Sequence, residues 1–345
     1  MKKSLLAALV ACLGLFLFVR PALAQGMEGM AGGAHGEDHM MGGMPWFGRV
    51  PIGVKGGTTH HAGKWMFSYR YMYMGMEGNR NGTDSVSTEE VLRDYMVSPT
   101  EMSMQMHMLG IMYGATSNLT LMAMAPYVRL EMDHVTRMGG KFTTKTDGLG
   151  DLKLSALYLL PNPGKHTFHV NAGISFPTGS VDEKGDTPAG PDQKLPYPMQ
   201  LGSGTYDLLA GLTYRGLTGA WQWGGQAAAV FRIGENKEDY TLGNRFQATG
   251  WLTRLLGGGF SASARLDWNW WDDIDGADPE LNPAVVPTAD PDLRGGNRID
   301  ALLGLNFVHG QHSLAVEGGV PIYQDLHGPQ LETDWLITAG YQLAF

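Results

Sequence analysis

One cysteine, Cys12, stands in the 345 residues, and it falls in a segment that reads as a secretory signal peptide. Lys2 and Lys3 form a positive start, Leu5–Val19 an apolar stretch, and Ala22-Leu23-Ala24 a small-x-small cleavage pattern just after the helix-breaking Pro21. Cleavage after residue 24 leaves no cysteine. That excludes disulfides, a thiolate nucleophile and a cysteine metal site, although the chain is addressed to an oxidising compartment. The string Leu9-Val10-Ala11-Cys12 fits a lipoprotein-type box, but the apolar stretch continues past it, which argues against lipidation.

Long apolar runs are missing too. The signal stretch is short for a transmembrane helix, and nothing after it approaches the ~20 residues that a spanning helix needs. Basic clusters are also absent. Lys and Arg number 25 against 34 Asp and Glu, for a net charge of −9, and loss of Lys2, Lys3 and Arg20 with the signal takes it to −12. Such a balance argues against a nucleic-acid partner. Helical periodicity is scarce and glycine is abundant, at 49 residues. Two classes remain, a soluble all-β protein and a membrane β-barrel.

What is present is alternation. Phe168, Val170, Ala172, Ile174 and Phe176 interleave with His169, Asn171, Gly173 and Ser175, and Phe260, Ala262, Ala264, Leu266, Trp268 and Trp270 interleave with Ser261, Ser263, Arg265, Asp267 and Asn269. A period of two means strands with one apolar face. About twelve such segments follow one another: 64–76, 102–116, 119–134, 149–160, 167–176, 205–215, 220–232, 245–255, 260–271, 298–308, 312–323 and 333–345.

A sandwich would alternate as well. Two features favour a membrane barrel. Tight connections such as Ser117-Asn118, Leu217–Gly219 and His309–Gln311 take turns with long polar stretches such as 177–204 and 272–297, the asymmetry of outer-membrane barrels. The last segment, Trp335 to Phe345, alternates to a terminal aromatic, which resembles the signal read by the bacterial barrel-assembly machinery. The fold class expected is therefore all-β: a transmembrane antiparallel up-and-down β-barrel of about 12 strands in the bacterial outer membrane, touching lipid, with both termini periplasmic. The organisation expected is a signal peptide at 1–24, a Met/His/Gly-rich periplasmic segment at 25–63 and the barrel at 64–345.

Several strings resemble the outer-membrane family named for the MetA pathway of phenol degradation. They are Leu119-Thr120-Leu121 running to Pro126-Tyr127-Val128-Arg129, Gly148-Leu149-Gly150-Asp151, Phe176-Pro177-Thr178-Gly179, and Leu201-Gly202-Ser203-Gly204-Thr205-Tyr206-Asp207. The resemblance implies a barrel with a transport role, for small hydrophobic or aromatic compounds, and it supplies no catalytic residues.

Charges on a lipid face are costly, so those that alternate with apolar residues mark the lumen. On that rule Arg70, Asp151, Lys153, Asp207, Arg232, Arg265, Asp267, Arg298, Asp300 and Glu317 line the pore, with Arg215 beside them. Methionine is concentrated in one region: of 21, all but Met1 and Met199 lie between Met27 and Met138. Met27, Met30, His35, His39, Met40, Met41, Met44, His60 and His61 combine thioether with imidazole, ligands suited to Cu(I); a low-complexity tail would carry them by composition alone. Within the strands, Met66, Met72, Met74 and Met76 share a face with Arg70 and are expected in the lumen. Met102, Met104, Met106 and Met108 oppose Glu101, Ser103, Gln105 and His107, and Met122, Met124 and Met132 oppose Arg129, Glu131 and Asp133. The same charge rule puts both groups on the lipid side, which leaves no continuous methionine path.

The acidic stretch 272–297 departs from a Ca²⁺-loop spacing and reads as solvated. His312-Ser313 sits at a tight turn and makes no nucleophile–base case. The function expected is a channel or uptake pore, with a copper-binding protein as the alternative and a lipid-hydrolysing barrel as a third, weaker reading.

Overall fold

The computed structural model describes residues 50–161 and 166–345. Its strands in chain order are β1 (Trp65–Gly82), β2 (Asp84–Val86), β3 (Val97–Gly114), β4 (Leu119–Thr136), β5 (Lys141–Leu149), β6 (Leu152–Leu160), β7 (His166–Phe176), β8 (Lys184–Thr187), β9 (Gly190–Lys194), β10 (Tyr206–Thr218), β11 (Trp221–Ile233), β12 (Tyr240–Thr241), β13 (Arg245–Gly257), β14 (Phe260–Trp271), β15 (Asp275–Gly276), β16 (Gly296–His309) and β17 (His312–Ala344). Neighbours in space follow neighbours in sequence, every pairing is antiparallel, and β17 returns to pair with β1. The wall is a closed up-and-down barrel. Closure leaves no unpaired edge, the condition that lipid imposes on a spanning sheet.

β17 makes two passes. Leu326 pairs with Gly296 of β16 and also with Gly82 of β1, whereas His312 pairs with His309 and Ala344 with Met66. Both ends of β17 therefore lie at the tight-turn end and its middle at the opposite rim. Eleven elements close the barrel and the wall is crossed twelve times, because β17 passes twice; β5 adds no crossing, since it shares one pass with β6 that bends at Gly150-Asp151. The first and last strands of the barrel meet on the tight-turn side, where Trp65 and Phe345 exchange backbone hydrogen bonds of 2.9 and 3.0 Å.

Alternation sorts the side chains. Phe67, Leu109, Leu154, Leu208, Leu252, Leu266 and Leu314 point outward and stay exposed. Each would gain ~1.5–3 kcal/mol from an apolar surrounding, so this belt belongs in lipid. Aromatic contacts gird it near the tight turns, with Phe67 on Phe345 at 5.9 Å and Phe260 on Phe307 at 4.6 Å. No helix among the described residues is long and apolar enough to cross a membrane; the crossing is made by strands.

The buried core lies inside the barrel, and there the methionine expectation for β3 and β4 is corrected. Met102, Met108 and Met112 of β3, and Met122, Met124 and Met132 of β4, are buried and cluster with Met66 of β1 or with the loop residues Leu195 and Met199. Register confirms the face: Met66 stands opposite Met112 and Met112 opposite Met122, while Met76 stands opposite Met102 and Met102 opposite Met132. The charge rule failed because its premise holds only within the bilayer. From Leu119 to Tyr127, β4 climbs about 26 Å along the strand, or roughly 20 Å of depth at a 40° tilt. Arg129 and Glu131 thus lie outside at the rim, where outward means water, and Glu131 pairs with Lys145 of β5 at 2.9 Å. On β3 the outward polar groups are capped by tyrosines of β1: Tyr69 Oη meets His107 Nδ1 at 2.8 Å, and Tyr71 Oη donates to Gln105 Oε1 at 3.2 Å.

Candidate functional site: the barrel lumen

Residues 50–61 enter the barrel. Expected as the end of a periplasmic segment, this stretch is tied to the inner wall by side chains that read its backbone. Arg70 Nε donates to the Ile52 carbonyl at 3.1 Å, Gln226 Nε2 to the Lys55 carbonyl at 3.0 Å, and His169 Nε2 lies 2.9 Å from the Gly56 carbonyl. The Gly53 amide donates to Glu317 Oε2 at 3.1 Å, and the His60 amide to Thr120 Oγ1 at 2.8 Å. Val50 and Val54 pack on the inward indole of Trp251. Small residues make room for the insert. A side chain on Gly340 would collide with Ile52, and one on Gly224 with the Trp251 ring.

All ten charges expected to line the lumen point inward, and most are used in structure. Arg265 grips Glu317 in a two-pronged pair, Nε–Oε1 2.8 Å and Nη2–Oε2 2.9 Å, and reaches Asp267 at 3.2 Å. Arg232 pairs with Asp207, and Arg298 with Asp300 at 2.9 Å. Asp151 accepts from the Gly179 amide at 3.0 Å and from the Ser203 amide at 2.8 Å; it thereby anchors the long connection 177–204 to the wall. Arg70 holds the insert, and among the described residues Lys153 has no hydrogen-bond or ion-pair partner.

Two inward cations were missed. Arg245 opens β13 opposite Trp271, one step from the outward Phe246, so the alternation already contained its signal. Lys55 belongs to the insert, and nothing in a strand pattern could have found it. Lys55 lies within electrostatic reach of Lys153, Arg70 and Arg245, and Arg245 within reach of Arg232, Asp207 and Arg298. Arg245 points inward yet remains exposed, Lys153 and Gln226 are partly exposed, and the paired side chains of Arg232 and Arg298 are nearly buried.

Of the residues expected to bind metal, Met27, Met30, His35, His39, Met40, Met41 and Met44 lie outside the described residues. His60 and His61 sit at the tight-turn end beside β4. The His60 Nε2 is buried without a hydrogen-bond partner among the described residues, and burial, reinforced by Arg215 and His61, pushes its imidazole down to about 4. Among the described residues no three His, Cys, Asp or Glu converge on a metal position.

Comparison with known proteins agrees with this architecture. The COG4313 outer membrane channel from Pseudomonas putida F1 superposes with a TM-score of 0.60 at 14% identity, over 85% of this chain and 99% of that one. The β domain of the Bordetella autotransporter BrkA (TM-score 0.43, 13% identity, 83% and 100% covered) and the P. putida toluene transporter TodX (0.43, 9%, 82% and 89%) are looser likenesses. No curated protein matches the sequence. Residues 100–278, just over half of the chain, match the family described as "Putative MetA-pathway of phenol degradation", and the chain belongs to that family as a bacterial outer-membrane β-barrel.

Proposed function

We propose that the barrel is a passive channel or uptake pore for small solutes, of hydrophobic or aromatic character. One observation carries this reading: a closed wall encloses a polar interior in which the inward Arg245 is exposed and Lys153 and Gln226 are partly exposed. A barrel serving only as an anchor has no need of accessible charge inside. The aromatic character follows from the phenol-degradation pathway in the family description. In this reading the ten inward charges shape the path and residues 50–61 narrow it.

Single-channel recording in planar bilayers tests it. The intact protein should conduct, and removal of residues 25–63 should raise conductance several-fold. Neutralising Arg265, Asp267, Arg298 and Asp300 should change ion selectivity, whereas changes at the outward Phe260 or Leu266 should not. Silence of both intact and truncated protein, with no solute flux in liposomes, would sink the reading.

The copper alternative rests on the Met/His tail. A peptide of residues 25–63 should bind Cu(I) more tightly than Zn²⁺, because thioethers add little to zinc affinity. Titration against a competing Cu(I) chelator decides it: equal affinity of the native and methionine-free peptides removes the alternative.

A further inference from the structure

The lumen has two unlike sides. One is formed by β1, β3 and β4, whose inward apolar positions are dominated by methionine. Met72 stands opposite Met106 and Met74 opposite Met104, and all four are only partly buried, with Met104 and Met106 packed against the buried methionines below them. The described strands after β4 contain no methionine; their inward apolar positions carry Leu157, Leu209, Val230, Trp251 and Leu302 instead. An unbranched, polarisable wall of this kind adapts to apolar bodies and favours contact with aromatic rings.

The other side is a collar of cations near the long-loop rim. Arg232 and Arg298 have acid partners there, but Lys55, Lys153 and Arg245 have none among the described residues. Lys55 and Lys153 repel each other, and Arg245 repels both. Like charges gathered in a partly desolvated space are unfavourable unless something offsets them. Of the nearby carboxylates, Asp207 is paired with Arg232 and Asp300 with Arg298; Asp151 is held by backbone amides and Asp267 shares Arg265 with Glu317, so these last two offset part of the positive charge and leave a net excess of it. The two sides meet where Arg298 Nη1 approaches the Met74 sulfur at 3.8 Å.

We infer that the upper lumen binds an organic monoanion with an apolar body, its carboxylate held by Lys55, Lys153 and Arg245 and its body laid on the methionines of β1 and β3. The inference deepens the channel reading and rests on it: the solute is an aromatic or similarly apolar acid rather than a neutral hydrocarbon. The chain as a whole is strongly acidic, at −9, so a basic collar inside it is a local feature and not a reflection of composition.

Two measurements on the full-length protein test this. In planar bilayers under a KCl gradient, the reversal potential should report anion selectivity, and benzoate should reduce the chloride current at about one-tenth the concentration that acetate requires. Benzylammonium should not compete. Independently of conduction, calorimetry in detergent should detect benzoate binding to the folded, heat-modifiable protein. The triple variant Lys55→Gln, Lys153→Gln, Arg245→Gln should lose benzoate and acetate alike, while Met74→Thr with Met104→Thr should weaken benzoate at least fivefold and leave acetate unchanged. Cation selectivity, equal potency of acetate and benzoate, or undiminished benzoate binding by the triple variant would each overturn the inference. A protein that does not conduct but binds benzoate as described would overturn only the channel reading.

Discussion

Glu317 shows how a single side chain joins wall and insert. It is almost wholly buried and takes both prongs of Arg265 while accepting the Gly53 amide. Removing one partner of such a pair leaves a desolvated charge, a loss that typically costs ~3–5 kcal/mol, whereas replacing both by apolar groups costs far less. Glu317→Gln should therefore lower unfolding stability by up to that amount, since Asp267 still faces Arg265, and Arg265→Met combined with Glu317→Leu should recover part of it. Urea unfolding in detergent, followed by tryptophan fluorescence, provides the check. If the single and double variants unfold together, the pair holds nothing in place. Arg298, less deeply buried than Arg265 and already paired with Asp300, should give a much smaller effect.

The insert 50–61 is the element on which the interior depends, and its lower end carries a proton-sensitive contact. His60 is held neutral in the docked segment, with its imidazole pushed down to about 4; released into water it would titrate near 6.5. Between those values the released form binds the extra proton, so docking is fully favoured above about 6.5 and is lost progressively as the pH falls towards 4. Hydrogen exchange, corrected for intrinsic rates, should show the amides of residues 57–61 protected at pH 7.5 and markedly less so at pH 4.5. His60→Gln should flatten that difference. Equal protection at both pH values in the native protein would remove His60 as a contributor. Other elements act through the same logic of carbonyls read by inward donors, as with the Ile52 carbonyl and Arg70, so acid should loosen one end of the insert and leave Arg70 in place.

The whole barrel is closed at a seam that its first and last strands make together. Trp65 and Phe345 exchange backbone hydrogen bonds, and the Phe345 ring stacks near Phe67 at 5.9 Å. Deleting Phe345 removes one ladder pair and one aromatic contact, a loss of ~1–3 kcal/mol by packing alone. We expect a larger defect in membrane assembly than that loss explains, because the terminal aromatic would also serve as the signal to the assembly machinery. Semi-native electrophoresis of membranes from cells making the truncated chain gives the yield of heat-modifiable barrel. A normal yield would limit Phe345 to packing.

Alternation, tight and long connections in turn, and the terminal aromatic were enough to specify the barrel, its twelve crossings and the side of the sheet that faces lipid, since a period of two is a local property of the chain. The inward orientation of the ten charges followed from the same period. The methionines of β3 and β4 could not be placed by that means. Alternation separates two faces of a strand but does not name them, and the naming rule, that charge points inward, inverts once a strand rises out of the bilayer. The position of the membrane along β4 was decided only when β5 paired with it and set Lys145 beside Glu131. The insert was equally hidden. Residues 50–61 have no strand period, and what holds them is a set of carbonyl acceptors matched to Arg70, His169 and Gln226, donors brought together from strands far apart in sequence. Tertiary structure alone could make that match, because it depends on which strands face one another across a closed barrel.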